Sequence, residues 1–130
     1  MNNNDMATKF AYLREQREVL IKNIALLEEK LKETAAAKST LKEIDKVNEG
    51  EILMPIGGGC FVEAELKKLD TVTINIGDGV SKEASVDEAL SKLDELTDNI
   101  QSTAAKMNNN LSKVEKELGD IQKEIRGRRD

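Results

Sequence analysis

The stretch MATKFAYLREQREVLIKNIALLEEKL, residues 6–31, decides the fold of this chain. Its apolar residues alternate at spacings of four and three, which is the heptad pattern of a coiled-coil seam. A second stretch, residues 86–125, repeats the same spacing. The apolar members of the two seams are Met6, Phe10, Leu13, Leu20, Ile24, Leu27 and Leu31, and then Val86, Leu90, Leu93, Ile100, Met107, Leu111, Val114, Leu118, Ile121 and Ile125. Both stretches are therefore predicted to be long amphipathic helices.

The two seams can be paired antiparallel so that the numbers of facing residues have a constant sum. In an antiparallel pairing, residues 6, 10 and 13 face residues 125, 121 and 118, and each pair adds up to 131. Thr34 faces Thr97 in this register, and this polar pair would disfavour a slipped alignment of the two helices. Asp45 is a further polar residue at a predicted seam position. The sequence predicts one long antiparallel coiled-coil hairpin, with helix 1 at 6–47 and helix 2 at 85–127.

Capping residues mark the predicted helix ends. Asp5 is a candidate N-cap for helix 1, and Asn48 is expected to stop that helix. Ser85 followed by Glu88 is the capping-box pattern at the start of helix 2, and Gly127 and the neighbouring arginines are expected to close that helix.

The composition limits the chain to one domain that is mainly α-helical. Its 130 residues include two Phe, one Tyr and no Trp, too few aromatic residues for an ordinary globular core. The net charge of −5 disfavours nucleic acid as a partner, since phosphate binding depends on Lys and Arg. No apolar run approaches the ~20 residues that span a bilayer, and a single cysteine, Cys60, fits a reducing compartment. We expect a cytoplasmic protein without membrane or nucleic-acid partners.

The apolar period changes from 3.5 to 2 in the middle of the chain. Residues 51–66 contain a three-glycine turn and predict one β-hairpin, and residues 71–84 predict a second. A four-stranded insert of this kind would have one apolar face and two edges, and no helix of the same chain is placed to cover it. Other subunits are therefore expected to bury its apolar strand residues, which are Ile52, Met54, Ile56, Val62, Val72, Ile74 and Ile76.

No pattern for catalysis or cofactor binding is found. The glycines at 57–59 lead into a strand and lack the Gly-Lys-Ser/Thr ending of a phosphate loop. With no His and one Cys, a zinc site has too few ligands. We expect neither an enzyme nor a bound cofactor or metal.

The residues of the insert resemble the alpha class of prefoldin. Residues 53–64 match the family's apolar-Pro-apolar-Gly turn followed by Phe-Val, and residues 72–80 and 83–89 match its second hairpin and helix start. The resemblance covers the whole chain, and two hairpins favour the alpha over the beta class. Cys60 stands where the family often has a small polar residue.

The resemblance implies an ATP-independent chaperone that holds unfolded polypeptides and delivers them to a group II chaperonin. It also implies a hexamer of two alpha and four beta subunits, whose strands join into a β-barrel platform from which the coiled coils extend.

In such a hairpin the chain termini lie together, far from the strands. Six seam residues, which we call the terminal cluster, are then candidates for client binding: Met6, Phe10, Leu13, Leu118, Ile121 and Ile125. Gly119 lowers helix stability there by ~1 kcal/mol relative to Ala, which favours opening. The alternative is that these residues merely complete the seam.

A second apolar stripe lies outside the seam. Tyr12, Val19 and Leu26 recur every seven residues at outward positions. They either form a client or partner surface or are scattered surface residues.

Two other functions stay open for the chain as a whole. One is a homo-oligomeric filament built through the same strands, and the other is an RNA-binding arm suggested by Arg126, Arg128 and Arg129.

Overall fold

The computed structural model describes residues 2–129, with Arg129 described by its backbone alone. The element order confirms the predicted architecture of helix, two hairpins and helix. The elements are α1 (Asn3–Val47), β1 (Gly50–Gly57), β2 (Cys60–Leu66), β3 (Val72–Gly77), β4 (Val80–Ala84) and α2 (Val86–Arg129). The chain divides into two compact units. The terminal unit contains the described residues up to Lys32 and from Asp98 onward, and the strand-bearing unit is Glu33–Thr97.

The terminal unit has an apolar core of the predicted seam residues. Leu13, Leu118 and Ile121 form one buried cluster, and Phe10, Val114 and Ile125 pack against it. The presence of Leu13 and Leu118 in one cluster agrees with the register in which paired positions add up to 131. Ile24 and Ile100 are also buried, at 8% and 7% exposure. The unit is therefore held together by side chains along a line rather than by a globular core.

Polar contacts on the surface of this unit join α1 to α2 and also lie within α2. The Nη1 group of Arg128 donates to Oδ1 of Asn3 at 2.8 Å, and its Nη2 lies 3.3 Å from Oε1 of Glu124. An ion pair of 4.0 Å joins Lys9 to Glu117. Exposed contacts of this kind contribute at most about 1 kcal/mol each, so most of the closure comes from the apolar core.

Two predicted caps of this unit are wrong. The Oδ1 of Asn2 accepts the backbone N–H of Asp5 at 2.8 Å, so Asn2 is the N-cap of α1 and Asp5 lies in the first turn. The carboxylate of Asp5 is favourable there because it faces the positive end of the helix dipole. Gly127 does not end α2, since the helix continues to Arg129 and Gly127 does not adopt the left-handed conformation of a terminating glycine.

The helical part of the strand-bearing unit contains the polar seam layer. Thr34 is buried at 6% exposure, and the hydroxyl of Thr97 donates to the Leu93 carbonyl oxygen at 2.9 Å. The ammonium group of Lys38 forms an ion pair with Asp94. The expectation that Asp45 lies on the seam is wrong, because Asp45 is exposed while Ile44 is half-buried. The phase of the apolar stripe thus shifts by one residue at the end of α1, which lets an apolar side chain occupy the buried position.

The strand-bearing unit confirms the other two helix caps. Asn48 has a left-handed φ of +59°, which ends α1, and its carbonyl oxygen accepts the N–H of Leu69 at 3.0 Å. Ser85 Oγ accepts the backbone N–H of Glu88 at 3.1 Å, so Ser85 is the N-cap of α2.

We predict that Ser85→Ala lowers the free energy of unfolding by about 1 kcal/mol, the usual cost of losing an N-cap hydrogen bond. Ser102→Ala is the matched control, because Ser102 is an exposed residue in the interior of the same helix, where Ala is the better helix former. Urea unfolding followed by circular dichroism measures both variants. Equal stability of the two variants would contradict the capping role of Ser85.

The strands form two separate hairpins. β1 pairs only with β2 and β3 only with β4 among the described residues, so the expected four-stranded insert with two edges is wrong and each strand has an unpaired edge. Both hairpins turn through two residues with positive φ, Gly58 and Gly59 in the first and Asp78 and Gly79 in the second, as in type I′ turns. The register shifts just before each turn, at Ile56 and at Ile76. Two-stranded hairpins are marginal on their own, so these depend on further packing.

Candidate functional site

The terminal cluster is assembled and closed. Met6, Leu13, Leu118 and Ile121 are 1–7% exposed, whereas Phe10 and Ile125 are half-buried at the margin. The structure thus brings five of the six predicted client-binding residues into one cluster, and the sixth, Met6, is buried in the same unit. A client could reach Met6, Leu13 and Ile121 only if the helices separated at this end of the unit.

A groove lies open on the surface beside this cluster. It encloses about 460 Å³ and has Phe10, Leu118 and Gly119 among its lining residues. The remaining lining residues are polar or charged, namely Arg14, Arg17, Glu115 and Gln122. The guanidinium carbon of Arg14 lies 6.0 Å from the centroid of the Phe10 ring. The sequence marked Gly119 as a weak point of the helix but gave no sign of a groove.

The stripe of Tyr12, Val19 and Leu26 is exposed, at 60%, 47% and 56%. Ile21 adds a further exposed apolar residue, at 48%. These side chains take no part in the core of the terminal unit and are available to another molecule.

The first hairpin is apolar on both faces. Cross-strand partners point to the same side of a hairpin, so Met54 and Val62 share one face while Pro55 and Phe61 share the other. Met54 and Val62 are 44% and 47% exposed, and Phe61 is 61% exposed. Leu53, on the face of Phe61, is 65% exposed. Water-exposed apolar side chains on both faces indicate a hairpin that is buried in an assembly.

The second hairpin is apolar on one face. Val72 pairs with Ala84, and the next residues along, Thr73 and Glu83, make a polar pair on the opposite face. Ala84 is buried at 4% exposure, while Val72 and Ile74 are half-buried. Ile76 and Val80 remain 52% and 53% exposed near the turn.

Each hairpin borders an apolar groove within the strand-bearing unit. One groove, of about 280 Å³, lies between the end of α1 and β1 and includes Ile44, Val47, Ile52 and Met54. The other, of about 310 Å³, has Leu41, Val72, Ile74, Ala89 and Leu96 among its lining residues. Both have the size to accept apolar side chains of another strand.

Sequence reasoning missed Leu53 and Phe61 as candidate assembly residues. For Leu53 the available signal was the unbroken apolar run from Ile52 to Ile56, which is typical of a strand buried on both faces. It also missed Ala84 and Ala89, which are buried at 4% and 2% exposure and are too small to stand out in the sequence pattern.

Neither helix, over the described residues, is long and apolar enough to cross a membrane.

Comparison with known proteins identifies the family. The family model described as prefoldin subunit matches residues 13–129. The chain is 30% identical to prefoldin subunit alpha of Methanospirillum hungatei over 85% of this chain and 74% of that protein. It is also 30% identical to prefoldin subunit alpha of Pyrococcus horikoshii, over 92% of this chain and 84% of that protein.

A solved structure shares the fold. A chain of filamentous PFD from Methanocaldococcus jannaschii, determined by cryo-EM, superimposes with a TM-score of 0.77 at 22% identity, covering 91% of this chain and 98% of the other. The hairpin motifs, the architecture and the family match agree, and the chain therefore belongs to the prefoldin family, in its alpha class.

Proposed function

We propose that this chain is a subunit of a cytoplasmic, ATP-independent chaperone that holds unfolded polypeptides and passes them to a group II chaperonin. The observation that carries the proposal is the thin apolar core of the terminal unit. That core is a single line of side chains, and its surface bears an open groove and an exposed apolar stripe. Such a unit offers apolar contacts to another chain at the groove and the stripe, and it offers further contacts when the terminal cluster opens.

Client capture requires partial opening of the terminal cluster. Burial stabilises a Leu or Ile side chain by roughly 1.5–3 kcal/mol, so separating Leu13, Leu118 and Ile121 costs roughly 5–9 kcal/mol. The open form is therefore rare without a client. An unfolded polypeptide offsets this cost with its own apolar side chains, whereas a folded protein has buried them. The packing of the cluster thus favours binding of non-native chains over folded ones. Capture by this route uses no nucleotide, metal or other cofactor.

The exposed stripe of Tyr12, Val19 and Leu26 extends the client-binding surface in this proposal. It is available without any opening, and its side chains repeat along one side of α1. A long unfolded chain can contact the stripe while its other segments occupy the opened cluster.

Assembly proceeds through the two hairpins. We place two such subunits with four beta subunits, whose strands would cover the exposed faces of both hairpins. The assembly residues in this proposal are the predicted set, Ile52, Met54, Ile56, Val62, Val72, Ile74 and Ile76, with Leu53 and Phe61 added from the structure.

A homo-oligomeric filament is the second candidate, favoured by the likeness to a chain of a filamentous assembly. Co-expression with a candidate beta subunit, followed by native mass spectrometry, separates the two. A defined hexamer supports the chaperone, and long particles of this chain alone support the filament. The arginines near the C-terminus give little support for RNA binding. Arg126 is exposed, but Arg128 contacts Asn3 and Glu124, and the Arg129 side chain lies outside the described residues.

The client-holding function is tested by removing residues 1–13 and 118–130. We expect the truncated chain to assemble with its partners and to lose suppression of the aggregation of a chemically unfolded client, because both halves of the terminal cluster are gone. Light scattering follows the aggregation, and native mass spectrometry checks the assembly. Full protection by the truncated complex would contradict the proposal.

A further inference from the structure

Gly119 leaves an empty space beside the terminal cluster, and nothing in the folded chain requires a glycine at this position. It lies inside α2, where Gly is less favourable than Ala by ~1 kcal/mol. A Cβ atom added there would meet nothing within 4 Å, and its φ is not positive. Neither packing nor backbone conformation within the chain therefore calls for a glycine, and its absent side chain keeps the groove beside the terminal cluster open.

The walls of this groove combine apolar surface with positive charge. Phe10 and Leu118 supply the apolar part, and Arg14 lies near the Phe10 ring. The lining contains two arginines, Arg14 and Arg17, against one acidic residue, Glu115. The chain as a whole carries a charge of −5, so this excess of positive charge is local.

We propose that the groove binds segments of unfolded polypeptide in which an apolar side chain stands next to carboxylates. The apolar side chain would enter the space beside Gly119, against Phe10 and Leu118. The adjacent carboxylates would face Arg14 and Arg17, whose guanidinium groups form paired hydrogen bonds with carboxylates. This inference rests on the proposed holding function and names the class of client segment that the terminal unit prefers.

The groove also suggests the order in which a client contacts the terminal unit. It is present while the terminal cluster is closed, so a client can bind there before Leu118 and its partners separate. Binding in the groove then supplies part of the apolar contact that offsets opening. Short peptides are expected to use the groove alone, whereas long clients need both the groove and the opened cluster.

The test compares two short unstructured peptides that share an apolar core and differ in their flanks, Glu in one and Lys in the other. Binding to the full-length chain is measured by fluorescence anisotropy. We expect the Glu-flanked peptide to bind roughly five- to tenfold more tightly, as two partly exposed ion pairs allow. The difference should shrink in high salt, which screens exposed charges.

Substitutions in and outside the groove test whether the peptides bind there. Arg14→Gln with Arg17→Gln should abolish the preference for Glu, whereas the control Lys113→Gln with Lys116→Gln removes the same charge outside the lining and should keep it. Gly119→Leu should fill the gap and weaken the binding of both peptides. Gly127→Leu makes the same change in the same helix outside the lining, and it should bind normally. Thermal unfolding verifies that each variant is folded.

The outcomes distinguish this inference from the holding function. If the chain prevents client aggregation but binds both peptides equally, or keeps its preference without Arg14 and Arg17, the groove proposal is wrong and the holding function stands. If the chain neither prevents aggregation nor binds either peptide, both are wrong.

Discussion

Locking the first and last helical turns together should abolish the holding of unfolded clients. Cysteines at positions 3 and 128 allow this, because the side chains of Asn3 and Arg128 are in hydrogen-bond contact at 2.8 Å and both residues are exposed. A short cleavable bismaleimide would join the cysteines in a Cys60→Ser background, which removes the exposed native thiol. The locked cluster cannot expose Leu13, Leu118 and Ile121, so we expect client aggregation to proceed as if the chaperone were absent. Cleavage of the linker should restore protection.

Two controls make this result specific. The same Asn3→Cys, Arg128→Cys variant treated with a monofunctional maleimide carries the modification without the lock, and it should protect clients normally. A second lock at positions 38 and 94, which form an ion pair within the strand-bearing unit, should also leave protection intact. If the chain locked at 3 and 128 protected clients as well as the unlocked chain did, opening would not be part of capture. The exposed stripe and the groove would then be the client-binding surfaces.

The energetics explain why the lock should have so large an effect. Opening costs roughly 5–9 kcal/mol by the burial of three side chains, and the client must supply this amount. A covalent link prevents opening whatever binding energy a client supplies. Short peptides that bind in the groove do not require opening. The locked chain should therefore still bind the Glu-flanked peptide, which separates first contact from holding.

The helices and their register could be predicted because a coiled coil is specified by a local, repeating pattern. Leu13 and Leu118 are 105 positions apart, yet a single antiparallel register places them together and the structure shows them in one cluster. The hairpins could be predicted for a similar reason, since Gly58-Gly59 and Asp78-Gly79 suit the positive φ of type I′ turns.

The remaining features depend on geometry that has no periodic signal. The register shift at Ile56 and the second apolar face with Phe61 depend on how β1 and β2 align. That the two hairpins form separate sheets is likewise seen only in the structure. The groove beside Gly119 lies between two helices and depends on the missing side chain at that position. A heptad pattern of apolar residues does not predict such a groove. The client-binding role of the terminal cluster likewise stays a prediction, because its residues serve equally as a core.

Charges on the apolar face of the second hairpin should abolish assembly with partner subunits. We expect Val72→Lys with Ile74→Glu to leave the hairpin formed, because residue 74 faces Lys82 and residue 72 faces Ala84. The new charges would nevertheless have to be buried against partner strands, and an unpaired buried charge costs several kcal/mol. Native mass spectrometry of the variant mixed with a beta subunit should show the free chain, whereas the unmodified chain forms the complex.

The matched control places the same two charges on the polar face of that hairpin. Thr73→Lys faces Glu83, and Ser81→Glu faces Asn75, so neither change buries an unpaired charge and the complex should form. Since Val72 and Ile74 are half-buried within their own unit, Phe61→Glu serves as a second variant: Phe61 is 61% exposed, and its replacement removes little packing from the isolated chain. Circular dichroism should show intact helices in all three variants. A complex that forms with both Phe61→Glu and the double variant would show that the hairpin faces are not assembly surfaces, and the exposed apolar residues of both hairpins would need another partner.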